Sequence, residues 1–315
     1  MNACAAGIDV GKSFFDVGMA PSGHNFRVPN APKGVAVVIG RLRRSRVRRV
    51  VLEAIGPYGA ALIAALRTNG FEVGVVNPRR IKAFRDAEGH RAKTDRLDAG
   101  LIARFALTMT DIIRPLPSAE QLTLKALATR RRQIVEIVAM EKTRLKQAVE
   151  PLILDSHRAA IAALTLERRK IERELEQRIA RDPAMSRRKE ILISIPGIGP
   201  HVATVLLTEL PELGGIDRRA IASLAGLAPH PHQSGAFRGR PQITGGRPCV
   251  RTALYMAALA SCRANPLARE NYLAMRQAGK PAKVAIIAAA RKLLIVANTL
   301  AKSDQTFQPN HLLHA

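Results

Sequence analysis

Ala5-Ala6-Gly7-Ile8-Asp9-Val10-Gly11-Lys12-Ser13-Phe14-Phe15-Asp16-Val17 reads as a strand, a glycine-punctuated turn at Gly11-Lys12, and a second strand. Asp9 interrupts the first strand between Ile8 and Val10. A carboxylate is a poor strand former, costly in a central strand unless a cation or donor meets it; otherwise Asp9 faces water on one side of a hairpin. Phe26–Pro29 predicts a third strand and Lys33–Ile39 a short helix. The arginines of Arg41–Arg49 read as a solvated face. Arg48–Ala54 is a further strand with Val50, Val51 and Leu52 as a buried run. Glu53 closes it, ahead of the turn Ile55-Gly56-Pro57-Tyr58-Gly59 and a helix over Ala60–Arg67 that stops at Asn69-Gly70. An acid at the carboxyl end of a strand in an α/β sheet stands where such folds place their chemistry. Phe71–Val76 is another strand, ended by Asn77-Pro78, and the basic segment Arg79–Lys93 follows. Strands alternating with helices predict an α/β front domain.

Lys93-Thr94-Asp95-Arg96-Leu97-Asp98-Ala99 carries the second pair of acids. An apolar helical pattern starts here (Leu97, Leu101, Ile102, Phe105), with Thr94 as its N-cap. On a helix, positions three apart have Cβ atoms roughly 5–6 Å apart, so the two carboxylates repel. The helix dipole offsets part of that repulsion, and a hard divalent cation would use both. The alternative is an exposed acidic pair balanced by Arg91, Lys93 and Arg96. Convergence of Asp9, Glu53, Asp95 and Asp98 on one site would explain all four placements. It would suit two Mg²⁺ ions about 3.5–4 Å apart, acting on the attacking and leaving oxygens of phosphoryl transfer.

The 315 residues allow two or three modules. Hydrophobic residues make up 47%, which predicts a folded chain rather than a disordered tail. The formal charge of +25 calls for a polyanion, and nucleic acid is the first expectation. Aromatics are 3% with no Trp, which argues against base stacking and leaves phosphate contacts as the source of affinity. Lys12 in the first turn, with Arg79, Arg80 and Lys93 in the basic segment, are candidates for such contacts. No membrane-spanning run or signal pattern is read, so a cytoplasmic, nucleoid-associated protein is expected. Cys4, Cys249 and Cys262 lack zinc-ligand spacing and predict buried thiols.

Between Pro115 and Arg181, Leu122, Leu127, Ile134, Ile137, Val138, Leu145, Val149 and Leu152 recur at helical spacing, and Ile161, Leu164, Ile171, Leu175 and Ile179 form a second set. Two antiparallel helices in a coiled-coil hairpin are predicted, with Pro151 ending or kinking the first. The runs at Arg130–Arg132 and Arg168–Lys170 are coiled-coil surface or phosphate contacts. Ile-Pro-Gly-Ile-Gly-Pro at 195–200 reads as a helix–hairpin–helix whose Gly197 and Gly199 let backbone N–H groups approach a phosphate, or as a packing turn. Leu227–Arg251 is a Pro/Gly-rich loop holding Ser234, Arg238, Arg240, Arg247 and Arg251. On spacing alone Ser234 is a turn serine. His230 and His232 lack partners at metal spacing. Thr252–Ser261 and Lys283–Leu300 are predicted helices, and the tail from Asp304 is expected to be poorly ordered.

Gly-Ile-Asp-Val-Gly-Lys, Glu-Ala-Ile-Gly-Pro-Tyr, Asn-Pro-Arg-Arg-Ile-Lys-Ala-Phe and Lys-Thr-Asp-Arg-Leu-Asp-Ala resemble the amino-terminal part of the DEDD transposases of bacterial insertion sequences, the insertion sequence 110 class. The Leu227–Arg251 stretch is similar to that family's carboxyl-terminal domain. The resemblance implies an α/β RuvC-like (ribonuclease-H-type) domain over residues 1–114, a coiled-coil hairpin over 115–186, a mostly α-helical domain over 187–302 and a flexible tail over 303–315. It implies an acidic tetrad at Asp9, Glu53, Asp95 and Asp98 that holds Mg²⁺, with Mn²⁺ as a substitute. It puts the nucleophile at Ser234, with guanidinium groups nearby to stabilise the phosphorane. Ile55 and Thr244 depart from residues common in relatives. The family further implies DNA as substrate and a structured, element-encoded guide RNA; we expect a dimer or tetramer. Two other readings remain: a RuvC-like structure-selective endonuclease hydrolysing with the tetrad alone, and a non-catalytic nucleic-acid scaffold, against which the four intact acids speak.

Overall fold

A computed structural model describes residues 4–53, 57–89, 95–109, 117–234 and 237–308. The chain divides into two compact units, 1–116 and 117–315.

The first unit is a mixed five-stranded sheet. β1 (Ala5–Val10), β2 (Phe14–Ala20) and β3 (Asn25–Pro29) form an antiparallel meander. Helix α1 (Pro32–Arg44) then crosses to β4 (Arg49–Glu53), which pairs parallel to β1. A 3-10 turn at Pro57–Gly59 and α2 (Ala60–Thr68) lead to β5 (Glu72–Val76), parallel to β4. The strand order is β3-β2-β1-β4-β5. Helices α3 (Pro78–Ala87) and α4 (Asp95–Thr108) complete the unit. Each face of the sheet has its own core. Ile8, Val10, Phe15 and Val17 meet Val38 and Leu42 of α1 and Leu62 and Leu66 of α2. Ala5, Val51 and Val76 meet Ile81 of α3 and Leu101, Ile102 and Phe105 of α4 on the other side.

Two predictions for this unit change. α1 runs past Ile39 to Arg44, so Arg41, Arg43 and Arg44 lie on its last turns, where cations suit the helix dipole. The front of the basic segment is itself a helix, α3: the Asn77 side chain accepts from Arg79 N and Pro78 opens the first turn.

The second unit is mostly helical. α5 (Ala119–Leu145) and α6 (Pro151–Arg181) run antiparallel, as the ion pairs Arg178–Glu120 and Arg131–Glu172 require. Pro151 does not kink the first helix: α5 has ended at Leu145, and Pro151 opens the second helix, where its missing N–H costs nothing. α7 (Pro183–Ser194), α8 (Pro200–Glu209) and α9 (Arg218–Leu224) follow. The expected Pro/Gly-rich loop is in part a two-stranded antiparallel sheet, β6 (Pro229–Ser234) and β7 (Phe237–Ile243), with a bulge at His230/His232. Both strands are edges, so the prolines are tolerated. α10 (Pro248–Ala264), the unanticipated α11 (Pro266–Gln277) and α12 (Ala282–Ser303) end the unit. α12 is long and apolar enough to cross a membrane, contrary to the sequence reading, yet it carries Ala285, Ile286, Ala290, Leu293, Leu294 and Ala297 into the core. The start of the tail is tied down: Arg187 pairs with Asp304, and Phe307 N donates to Ser194 Oγ at 2.8 Å.

One core runs through this unit, from Leu124, Ile134 and Val138 of α5 and Ile171 and Leu175 of α6 to Leu254 of α10 and Leu300 of α12. Packing therefore does not break near residue 186, where a separate hairpin module was expected. Inside it, Asn298 Oδ1 accepts from Gly214 N and its Nδ2 donates to Ile216 O, fastening the loop before α9 to α12.

Candidate active site

Strand alternation decides which side chains share a face. Ala5, Gly7 and Asp9 project to the α4 side of β1, since Ala5 belongs to the α4 core while Ile8 and Val10 belong to the other. By the same alternation Glu53 follows Val51 to that side. Ile8 pairs with Leu52 in the parallel β1–β4 ladder, so Asp9 and Glu53 come at neighbouring positions. Asp9 is directly opposite Asp16 of β2, and Asp16 is opposite Arg27 of β3. A row of charge thus crosses the sheet.

Asp16 is 9% exposed, and its carboxylate accepts two bonds from Arg27, Nε to Oδ1 and Nη2 to Oδ2, each 2.9 Å. The sequence reading passed over this pair. Its signal was available, since Asp16 alternates with the buried Phe15 and Val17 as Asp9 does with Ile8 and Val10.

The helix bearing Asp95 and Asp98 lies on this face because two glycines admit it. Gly7 of β1 and Gly18 of β2 are directly paired, and a Cβ on either would run into the backbone of α4 at Ala99–Ala103. The other end of α4 is held by Arg49 of β4, whose Nη1 donates to Ala106 O at 3.2 Å and Met109 O at 3.4 Å. Those carbonyls are among the unpaired acceptors of a helix end. On the first turn, the buried Asp98 accepts from Arg85 Nη2 of α3 at 2.6 Å.

Asp9, Glu53 and Asp98 are therefore carried by elements of one sheet face. Asp95 opens α4, but its side chain lies outside the described residues, as do Thr94 and Lys93. Among the described residues no three His, Cys, Asp or Glu side chains stand close enough to hold a metal. The donor set is nonetheless all carboxylate oxygen, which fits Mg²⁺ or Mn²⁺ and not a soft metal. Lys12, Arg79 and Arg80 are exposed, with the Arg80 guanidinium 5.6 Å from the centre of the Phe105 ring.

In the second unit, Ser234 ends β6 opposite Phe237 of β7. Arg238 and Arg240 lie on β7, and the side chains of all three, with that of His232, are outside the described residues. His230 is exposed. Three of the residues expected to contact phosphate also have structural work. Arg247 grips Glu212 through two bonds of 2.6 Å and donates to Glu209 O at 2.7 Å. Arg251 donates to Gly245 O at 2.9 Å. Gly197, at φ +98°, is needed because α10 presses on it: a Cβ would meet Ala257 O and Ser261. Gly199 differs, for nothing lies within 4 Å of where its Cβ would be. Burial pushes the Cys249 and Cys262 thiols up, which makes them poor nucleophiles at neutral pH.

Two family models match the chain: a DEDD transposase model of the IS110 type over residues 6–153, and the transposase model of the IS116/IS110/IS902 family over residues 189–273. The pilin gene-inverting protein of Moraxella bovis is 30% identical over 265 residues, covering 82% of this chain and 81% of that protein. A protein of insertion element IS110 from Streptomyces coelicolor is 24% identical over 391 aligned positions, covering 97% and 95%. Among solved structures, T. thermophilus RuvC in complex with a Holliday junction substrate is similar at 20% identity over 32% of this chain and 90% of that one, with a TM-score of 0.27.

Proposed function

The chain belongs to the IS110 family of transposases, and from that premise we propose that it cuts and rejoins DNA, using a serine–DNA ester and a metal-holding carboxylate site. Asp9, Glu53, Asp95 and Asp98 would hold Mg²⁺ or Mn²⁺, which would supply positive charge to stabilise phosphoryl transfer. Ser234 Oγ loses its proton and attacks phosphorus, the P–O bond to one deoxyribose breaks, and that sugar oxygen takes up a proton. The reverse attack by a sugar hydroxyl reseals the strand and frees the serine, so no ATP is needed. The observation that carries the reading is the shared face: Asp9 and Glu53 project from the strands on which the Asp98 helix is seated.

The name of the Moraxella relative favours rejoining over plain hydrolysis, because inverting a gene requires that cut ends be joined again. The net charge of +25 supports extensive backbone contact and an element-encoded guide RNA alongside the DNA. In such a scheme base pairing reads sequence while the protein holds backbone shape. Self-association is supported by the exposed Val149 and Leu152 at the turn end of the α5–α6 hairpin, 88% and 78% accessible.

The deciding experiment traps the protein–DNA adduct by denaturing gel after incubation with element-end DNA, Mg²⁺ and RNA transcribed from the flanks of the gene. Wild type should give an adduct, and Ser234→Ala and Asp9→Asn none. Cleavage at full rate by Ser234→Ala would convert the reading to that of a metal-dependent endonuclease.

A further inference from the structure

In the second unit a cavity of about 550 Å³ opens where α5, α6 and the start of α8 meet. Its walls include Arg131 from α5, Arg169 and Arg173 from α6, and Pro200 and His201 from the first turn of α8. We propose that this cavity seats a backbone phosphate of a nucleic-acid strand, gripped by Arg131, Arg169 and Arg173. The proposal rests on the reading of the chain as a DNA recombinase, but it concerns a place remote in sequence from every residue of that chemistry.

Charge is the first argument. Two carboxylates also line the cavity, and both are already engaged: Glu172 pairs with Arg131 at 2.8 Å, and Glu176 lies 3.9 Å from Lys189. Arg169 and Arg173 are exposed and have no carboxylate partner among the described residues; the one bond between them runs from Arg173 Nε to Arg169 O at 3.4 Å. They are four apart on one helix, an arrangement of like charges that weakens a helix. An anion set between the two guanidiniums reverses the sign of that interaction.

The wall opposite adds donors rather than charge. Gly199, the N-cap of α8, offers no side-chain acceptor, and no acid stands in the first turn. The N–H groups there lack the side-chain cap that helices ordinarily carry. His201 Nε2 lies 3.3 Å from Arg131 Nη1; burial and then the Arg131 charge hold its imidazole below the usual histidine range, so the ring is neutral at pH 7. A neutral ring adds no charge of its own and leaves one hydrogen-bonding position for a phosphate oxygen. The cavity has the size of ordinary ligand pockets, and no Phe or Tyr lines it among the described residues. The seat therefore recognises a phosphodiester rather than a base.

The test measures equilibrium binding in metal-free buffer, with duplex DNA and hairpin RNA of equal length, across a salt series. An Arg169→Glu/Arg173→Glu double variant should lose about tenfold or more in affinity for at least one of the two, and its log K against log salt should flatten by about one to two phosphate contacts. The arm that loses identifies the strand seated there. Arg169→Lys/Arg173→Lys, which keeps the charge, should retain the slope. Lys142→Glu, on the exposed face of α5, controls for general charge. Wild-type slopes for both nucleic acids in the glutamate variant, or an equal loss in Lys142→Glu, would overturn the proposal. Ser234→Ala binds normally on this view, so failure of the adduct experiment and failure of this one are separate results.

Discussion

Arg85 stands as the counter-charge of Asp98, with the two side chains 16% and 10% exposed. Removing one partner of a buried ion pair costs up to about 3–5 kcal/mol, and the remaining exposure lowers the expectation for Arg85→Gln to about 2 kcal/mol. On the proposed reading a divalent cation would compete for the same carboxylate. Mg²⁺ should therefore raise the melting temperature of Arg85→Gln more than that of wild type, and equal shifts would mean that Arg85 and the metal do not share Asp98. Asp217 offers a pH test. Its carboxylate caps α9, and the N–H groups of Ala220 and then Arg219 hold it below the usual aspartate range. A carboxylate depressed in the folded state stabilises above its unfolded pKa, and that contribution is lost as pH falls through the folded value. Asp217→Ala should thus melt earlier than wild type at neutral pH, with the gap narrowing in acid; a gap independent of pH would exclude the charged cap. Single residues were legible where they broke a pattern: Asp9 in an apolar strand, Glu53 at a strand end. Asp16 broke the same pattern and could have been read, but its partner Arg27 could not, because that pairing lies in cross-strand register. The pairing of Arg247 with Glu212 was not legible either, since the two lie 35 residues apart.

Elements were legible by periodicity and were missed where punctuation carried the signal. Proline opens α1, α3, α6, α7, α8, α10 and α11. Read as starts, Pro78 and Pro266 would have announced α3 and α11, and Pro151 would have opened α6 rather than ended α5. The β6–β7 hairpin was hidden because its prolines argue against a strand anywhere except an edge. The seating of α4 makes the sharpest prediction at this scale. Gly7→Ala forces the helix off the sheet and should cost about 1–3 kcal/mol or more in urea unfolding, with loss of strand cleavage. Gly40→Ala is the matched control. Gly40 lies in α1 with nothing within 4 Å of its missing Cβ, so that change should stabilise by about 0.5–1 kcal/mol. If both glycines respond alike, helix propensity and not the seating of α4 governs Gly7.

For the molecule as a whole, composition anticipated the partner better than the architecture. A chain of +25 should bind duplex DNA with a steep salt dependence, losing about 10³–10⁵ in affinity between 50 and 200 mM salt if it makes about 6–10 phosphate contacts. A flat response in a titration would contradict a broad basic contact surface. The division into an α/β front and a helical remainder was readable from the change of hydrophobic period, because each period reports its own element type. The shared core of the second unit was not, since helices far apart in sequence leave no local trace of the partner they bury. That core joins Leu124 near the start of the unit to Leu300 at its far end. A premature stop codon in the closing stretch of the gene would therefore not merely shorten the product. It would strip the lining from helices translated long before it, so copies of the element that decay from the 3′ side should yield protein that precipitates or is degraded rather than a trimmed but working enzyme.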